Sequence, residues 1–247
     1  MMSTLAPSMV ETISSLPIEV KDLAKIETRY TRQENIIPNK TLADASIAVI
    51  GCGAIGRQVA IQAGCMGFGR ITLFDSDTVD LVNLAPQGFP NKDIGESKVY
   101  SVAHSIREQN EDPIVTVYTS KFSKSLANYP WGNGKNIAFL CVDSITARKN
   151  IYEMLQSTCV NWIIDGRMSS EAFRIITVRK DDPYYETTLF RQSEAFRGSC
   201  TAKSTIYCAC TIAGKMLSSA RKILTNFEPT KDMEENLFAD ELTIIRS

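Results

Sequence analysis

Gly51-Cys52-Gly53-Ala54-Ile55-Gly56 is a G-x-G-x-x-G run set directly after four apolar residues, Ile47–Ile50. There the glycines let the backbone turn tightly, and the helix that follows offers free N–H groups to a phosphate. Asp75 and Asp77 follow a second apolar run, Ile71–Phe74. A carboxylate at the end of that strand can accept hydrogen bonds from ribose hydroxyls. This much fits NAD, FAD and ATP alike. An ATP site needs more: cations near the phosphates, a carboxylate for magnesium, and a means of steering attack to the α-phosphate. Lys98 after "DIGES", Asp143 just past the apolar run Ile137–Val142, and Arg29 with Arg32 near the N-terminus stand in suitable places. Each has a plainer reading too. Lys98 can be a solvated helix residue, Asp143 the cap of the next helix, and the arginines surface charge. A hydride-transfer site would instead need a proton donor in the second half. The only histidine, His104, lies inside a helical pattern near the nucleotide half, and no Tyr or Lys pair stands at a telling spacing.

The elements that must position these residues follow from periodicity. Ile47–Ile50 reads as a strand buried on both faces, Arg57–Met66 as a helix stopped by Gly67-Phe68-Gly69, and Ile71–Phe74 as a second strand. Together they make one βαβ unit. Gly95–Asn110 has helical spacing at Val99, Val102 and Ile106, and Ile114–Tyr118 alternates as a strand. Ile137–Val142 is another buried strand, Ile145–Gln156 a helix, and Trp162–Ile164 a strand closed by Asp165-Gly166-Arg167. Phe173–Val178 is a further strand before a turn at Asp181-Asp182-Pro183; 191–201 reads as a polar loop. Ser204–Leu224 is the longest helix, and the tail "DELTIIRS" is a last strand or a docked end. The expected class is α/β and Rossmann-like: a mainly parallel sheet with helices on both faces, an N-terminal helical arm, and some antiparallel strands in the C-terminal half. Residues 1–22 read as a loose lead-in and Glu19–Asn35 as a polar helix. The division expected is an arm over 1–40 and a single domain over 41–247.

Bulk properties narrow the function classes. The 247 residues carry a formal net charge of -1, with 44% hydrophobic and 22% charged residues. That balance gives no support to a nucleic-acid or membrane-surface role. The apolar runs are too short to span a bilayer, and the N-terminus has no basic stretch followed by an apolar core. A cytoplasmic protein is expected. The seven cysteines are scattered and include no C-x-x-C pair, so reduced thiols are expected rather than a disulfide framework or a zinc site.

Five segments in order resemble the ThiF/MoeB family, the ubiquitin-activating-enzyme-like adenylyltransferases. They are "RYTRQ" (Arg29–Gln33), "VIGCGAIG" (Val49–Gly56), "LFDSDTVDLVNL" (Leu73–Leu84), "DIGESK" (Asp93–Lys98) and "CVDSITAR" (Cys141–Arg148). The resemblance implies attack of a carboxylate on the α-phosphate of MgATP, giving an acyl adenylate and pyrophosphate. The carboxylate would be the C-terminus of a ubiquitin-like or sulfur-carrier protein. It implies that Gly51, Gly53 and Gly56 with Asp75 and Asp77 hold the nucleotide, that Asp75 takes the ribose, and that Asn83 and Lys98 contact phosphates. Asp143 would bind magnesium, and Arg32 would reach in from the partner of a homodimer. Alternatives are a small-molecule or peptide carboxylate as substrate, a non-catalytic nucleotide-binding partner subunit, and a NAD-dependent oxidoreductase.

The chain departs from the family pattern at Pro86, where "NLAPQ" replaces NLxRQ. A substitute cation could come from Arg148, Arg167 or Lys203. The family's zinc-binding C-x-x-C pairs are absent. Cys200, before the last long helix, stands where relatives with a thioester or persulfide cysteine carry it, with Arg197 and Lys203 near enough in sequence to lower its pKa.

Overall fold

The computed structural model describes residues 10–13, 29–125, 131–189 and 204–246. In chain order the elements are β1 (Val10–Ile13), α1 (Asn39–Ala43), β2 (Ser46–Ile50), α2 (Ala54–Met66), β3 (Arg70–Phe74), the short α3 (Leu84–Gln87), α4 (Lys98–Gln109) and β4 (Ile114–Tyr118). They continue with β5 (Asn136–Leu140), α5 (Ile145–Leu155), β6 (Trp162–Ser169), β7 (Ala172–Arg179), α6 (Tyr184–Thr187), α7 (Ile206–Leu224), β8 (Asp232–Asn236) and β9 (Glu241–Arg246). Among the described residues the strands form one nine-stranded sheet in the order β1-β4-β3-β2-β5-β6-β7-β8-β9.

The strands from β4 through β6 in that order pair in parallel, with β1 and β7–β9 antiparallel at the two sides. The chain runs outward from β2 through β3 to β4, then returns to lay β5 on the other side of β2. That reversal leaves a crevice at the carboxyl ends of β2 and β5, where ligands of open α/β sheets bind. Alternate residues of the central strands feed two cores. Ile47, Val49, Ile71, Leu73, Ile137 and Phe139 pack with α2, α4 and α7. Ala48, Ile50, Ala138 and Leu140 pack on the opposite face with Ile151, Tyr152 and Leu155 of α5. Helices therefore cover both faces, as the periodicity predicts.

Three segments differ from the sequence reading. Residues 10–13, expected within a loose lead-in, pair antiparallel with β4 from Val10↔Tyr118 to Ile13↔Val115. Without them β4 would present a row of open backbone N–H and C=O groups. Strand β6 does not close at Asp165-Gly166-Arg167 but continues to Ser169, paired with β7 in unbroken register. Gly166 is there for close packing, not as a stop: a Cβ at that position would lie 2.5 Å from Met216 Sδ on α7. The end of the segment expected as a polar helix, from residue 30 onward, is a series of turns closed by Gln33 N–H to Tyr30 O and Ile36 N–H to Gln33 O.

Those turns dock at the C-terminal ends of α2 and α4. Gln33 Nε2 donates to Met66 O at 2.7 Å, Arg29 to Gln109 O at 2.8 Å, and the Tyr30 hydroxyl to Asp112 at 2.9 Å. Asn110 Nδ2 donates to the same tyrosine oxygen. Gly67, with φ +93°, leaves room for the Tyr30 ring, which a Cβ there would meet at 2.7 Å. Burial pushes the Tyr30 phenol from 10.0 to about 12. Folding thus favours the protonated phenol: its contribution is complete below pH 10 and is lost as pH rises through 12. Unfolding measured across that window should show wild type losing stability relative to Tyr30→Phe; parallel curves would contradict the assignment.

Candidate nucleotide site

The glycine loop lies at the crevice between β2 and β5. Gly51 has φ +93°, and a Cβ on it would sit 2.8 Å from Cys141 O, so only glycine lets the loop pass the end of β5. A Cβ on Gly56 would overlap the Gly51 carbonyl oxygen, whereas Gly53 faces open space apart from Gln87 Oε1 at 3.9 Å. Gly53 caps α2 without any side-chain hydrogen bond, leaving the first N–H groups of that helix for a ligand.

Asp75 closes β3, and its carboxylate is engaged twice. Oδ2 accepts from Cys52 N–H at 2.6 Å and Oδ1 from Asp77 N–H at 2.8 Å. It therefore ties the glycine loop to the end of β3, and each oxygen keeps a lone pair for a ribose hydroxyl. Beyond it, Val79 N–H bonds Glu96 O and Lys98 N–H bonds Asp77 O, so the two loops run as a pair. Lys98 opens α4 with only 8% of its side chain exposed and its Nζ 3.0 Å from Asp77 Oδ2. It is not a solvated helix residue. Asn83 Oδ1 accepts from Asp80 N–H at 2.9 Å, which turns its amide nitrogen free to donate. Ser76, Asp77, Thr78, Asp80, Asn83 and Lys98 line a polar cleft of about 420 Å³.

Asp143 stands just past the end of β5, beside the glycine loop that Cys141 touches. It is exposed and makes no hydrogen bond or ion pair among the described residues. Nor does it cap α5; Ser144 does, accepting from Ala147 N–H at 3.2 Å. An exposed carboxylate beside the glycine loop, with no partner among the described residues, has the chemistry of a single protein ligand to magnesium, whose remaining positions are usually filled by phosphates and water. Among the described residues no group of three His, Cys, Asp or Glu forms a protein-only cage.

The structure brings Gly51, Gly53, Gly56, Asp75, Asp77, Asn83, Lys98 and Asp143 to one crevice. It does not bring Arg32 there. The exposed Arg32 sits with the docked turns by Met66, separated from the loop by the 13 residues of α2, about 20 Å of helix. His104 is exposed on α4. Cys200, Arg197 and Lys203 lie outside the described residues. Burial holds the other thiols at the loop protonated, raising Cys52 well above 9.0 and Cys141 to about 12.

Two of the three substitute cations considered for Pro86 have other work. Arg148 is buried, ion-paired to Asp165, and donates to the carbonyls of Leu140, Val142 and Gly166. Arg167 Nε bonds the other oxygen of Asp165 at 2.8 Å while Nη1 bonds Thr188 O at 2.7 Å. Sequence gave no sign of this network, because its members lie on β6, α5 and α6. It also gave none of Arg57, which follows the glycine loop and reads as an ordinary helix residue. The structure puts its guanidinium against Gly88, the turn just after Pro86.

A model of the ThiF family matches residues 30–246. The chain belongs to the ThiF family. Within it, the chain is 24% identical over 175 residues to ubiquitin-like modifier-activating enzyme 5 of Arabidopsis thaliana, a match covering 64% of this chain and 40% of that one. It is 40% identical over 89 residues to the adenylyltransferase and sulfurtransferase MOCS3 of Sus scrofa, covering 33% and 19%. The chain thus spans well under half the length of these curated relatives. The crystal structure of E. coli MccB with ATP superposes with a TM-score of 0.68 at 16% identity, covering 93% of this chain and 79% of that one. That likeness shows a shared ThiF fold.

The buried network yields a stability test. Asp165 is fully buried between two guanidinium groups and also accepts the Tyr185 hydroxyl at 2.9 Å. Asp165→Ala strands both cations and should cost about 3–5 kcal/mol, measured by denaturant unfolding. A loss below about 1 kcal/mol would show that the pairs hold nothing together.

Proposed function

We propose that this chain is an ATP-dependent adenylyltransferase that activates a carboxylate, the C-terminus of a ubiquitin-like or sulfur-carrier protein. The observation that carries this reading is the Asp143 carboxylate, unpartnered among the described residues, across the glycine loop from Asp75, Asn83 and the buried Lys98 that pairs with Asp77. A dinucleotide site needs a ribose carboxylate but has no use for a free acid and a buried lysine around the phosphates. Family membership supports the same reaction, and the names of the Arabidopsis and Sus scrofa relatives describe activation of a modifier and adenylyl transfer.

In this reading the α2 N-terminus and the glycine loop hold the phosphates, Asp75 orients the ribose, and Lys98 and Asn83 fix the phosphate tail. The substrate carboxylate, already an anion, attacks the α-phosphorus. A new C–O–P bond forms as the α–β anhydride bond breaks, and pyrophosphate leaves with the electron pair. No protein base is needed; positioning and charge neutralisation do the work. Asp143 would hold magnesium, whose chemistry here is neutralisation of the triphosphate and the departing pyrophosphate.

Arg32 lies too far from its own loop to serve it, which supports its delivery into a partner's site and a homodimer. The Cys200 thiolate would then attack the acyl carbon of the adenylate, a thioester forming as the acyl–phosphate bond breaks and AMP leaves. Residues 41–247 act as one adenylation unit with 1–40 as the arm, and the free thiols among the described cysteines fit a cytoplasmic setting.

ATP–pyrophosphate exchange tests this directly, run with carrier proteins bearing a free or an amidated C-terminal glycine. Exchange should require the free carboxylate and fall about 10²-fold or more in Asp143→Ala and in Lys98→Ala. Equal exchange with the amidated carrier, or full activity in both variants, would contradict the proposal.

A further inference from the structure

One buried charge near the glycine loop has no counter-ion among the described residues. Arg57 follows the loop on α2, is 9% exposed, and lays its guanidinium over the Phe89 ring with Cζ 5.0 Å from the centroid. Nη2 makes only a long 3.5 Å contact with Ser105 Oγ, and Nε has no hydrogen-bond partner. Among the described residues no carboxylate forms an ion pair with it. Asp93 acts on it only from a distance and already accepts the Ser101 hydroxyl. A guanidinium withdrawn from water without an anion is costly, and the cost is offset when an anion arrives.

The surroundings say where the anion would come from. Arg57 Nη1 lies 3.3 Å from the place a Cβ would take on Gly88, which Ile206 Cδ1 also crowds at 2.7 Å, so the absent side chain lets the guanidinium pack directly against the backbone of this turn. Gly88 ends α3, and the preceding Gln87 has its main-chain oxygen 3.4 Å from Gln58 Nε2. Its side-chain Oε1 is buried and unpartnered, 3.9 Å from the Cβ position of Gly53 at the start of α2. The α3 turn thus bridges the Arg57 head group and the uncapped N-terminus of α2. Pro86, within α3, supplies neither charge nor N–H. Arg148 and Arg167 are tied to Asp165.

We propose that Arg57 binds the β- and γ-phosphates of ATP from beneath the α3 turn, supplying the positive charge that Pro86 does not. The proposal rests on the adenylation reading above and assigns a new residue to its phosphate side. Two bonds from a guanidinium to phosphate oxygens are strong and directional, so the effect should be confined to ligands that carry the distal phosphates.

Calorimetric titration of wild type, Arg57→Gln, Arg57→Lys and the double variant Arg57→Gln/Pro86→Arg with MgATP and with AMP separates the outcomes. Arg57→Gln should weaken ATP about tenfold or more while AMP changes less than about twofold. Arg57→Lys should fall between, and Pro86→Arg in the Arg57→Gln background should restore ATP binding. Thermal melts of each variant establish that it is folded; if Arg57→Gln is not, the Lys and double variants carry the comparison. Equal weakening of ATP and AMP, or no change in either, overturns the assignment of Arg57. Wild type that binds no ATP overturns the adenylation reading itself.

Discussion

The tie between Asp75 and the backbone of Cys52 is the contact on which the site depends. The glycine loop must turn sharply between β2 and α2, and Gly51 and Gly56 permit that turn without dictating where the loop comes to rest. Asp75 does so by accepting one N–H from the loop and another from Asp77, which joins the ends of two neighbouring strands through a single carboxylate. An anionic acceptor makes such hydrogen bonds shorter and stronger than neutral ones. The same group therefore fixes the glycine loop, and in the proposed reading it is also the acceptor for the ribose.

Across the crevice the corresponding constraint is electrostatic and buried. Arg148 gathers the carbonyls of Leu140 and Val142 at the end of β5 and that of Gly166 on β6, while Asp165 balances its charge. Burial depresses the Arg148 pKa to about 10, which still leaves it a cation at neutral pH. The loop that presents Asp143 is thus fastened from behind, and the carboxylate itself has no partner among the described residues. Arg167 extends the network to Thr188 at the end of α6. The two sides of the cleft differ in kind: a carboxylate holds backbone N–H groups on one, and a guanidinium holds carbonyls on the other.

The parts visible in the sequence are those whose physics is local. A buried strand followed by closely spaced glycines and an amphipathic helix can be recognised without tertiary knowledge, and so Gly51–Gly56, Asp75, Lys98 and Asp143 stand out as candidates in the sequence. The long helix α7 was equally plain from its period. What escaped depends on partners distant in the chain. Val10–Ile13 is a strand only because β4 offers an open edge. Gly166 looks like a strand end, yet it sits inside β6 because Met216 approaches it. Arg148 and Arg167 read as free cations in the sequence, yet Asp165 lies between them, and Arg57 reads as an ordinary helix residue, yet it is buried with no carboxylate beside it among the described residues.

The account turns on Asp75 serving both the loop and the nucleotide, and one titration addresses that most directly. MgATP and NAD are each titrated against folded wild type and against Asp75→Asn, whose amide offers one oxygen where two N–H groups need acceptors. The account predicts saturable ATP binding by wild type, much weaker NAD binding, and loss of the ATP signal in the variant. NAD binding in preference to ATP, or an Asp75→Asn protein that binds ATP as wild type does, would contradict it.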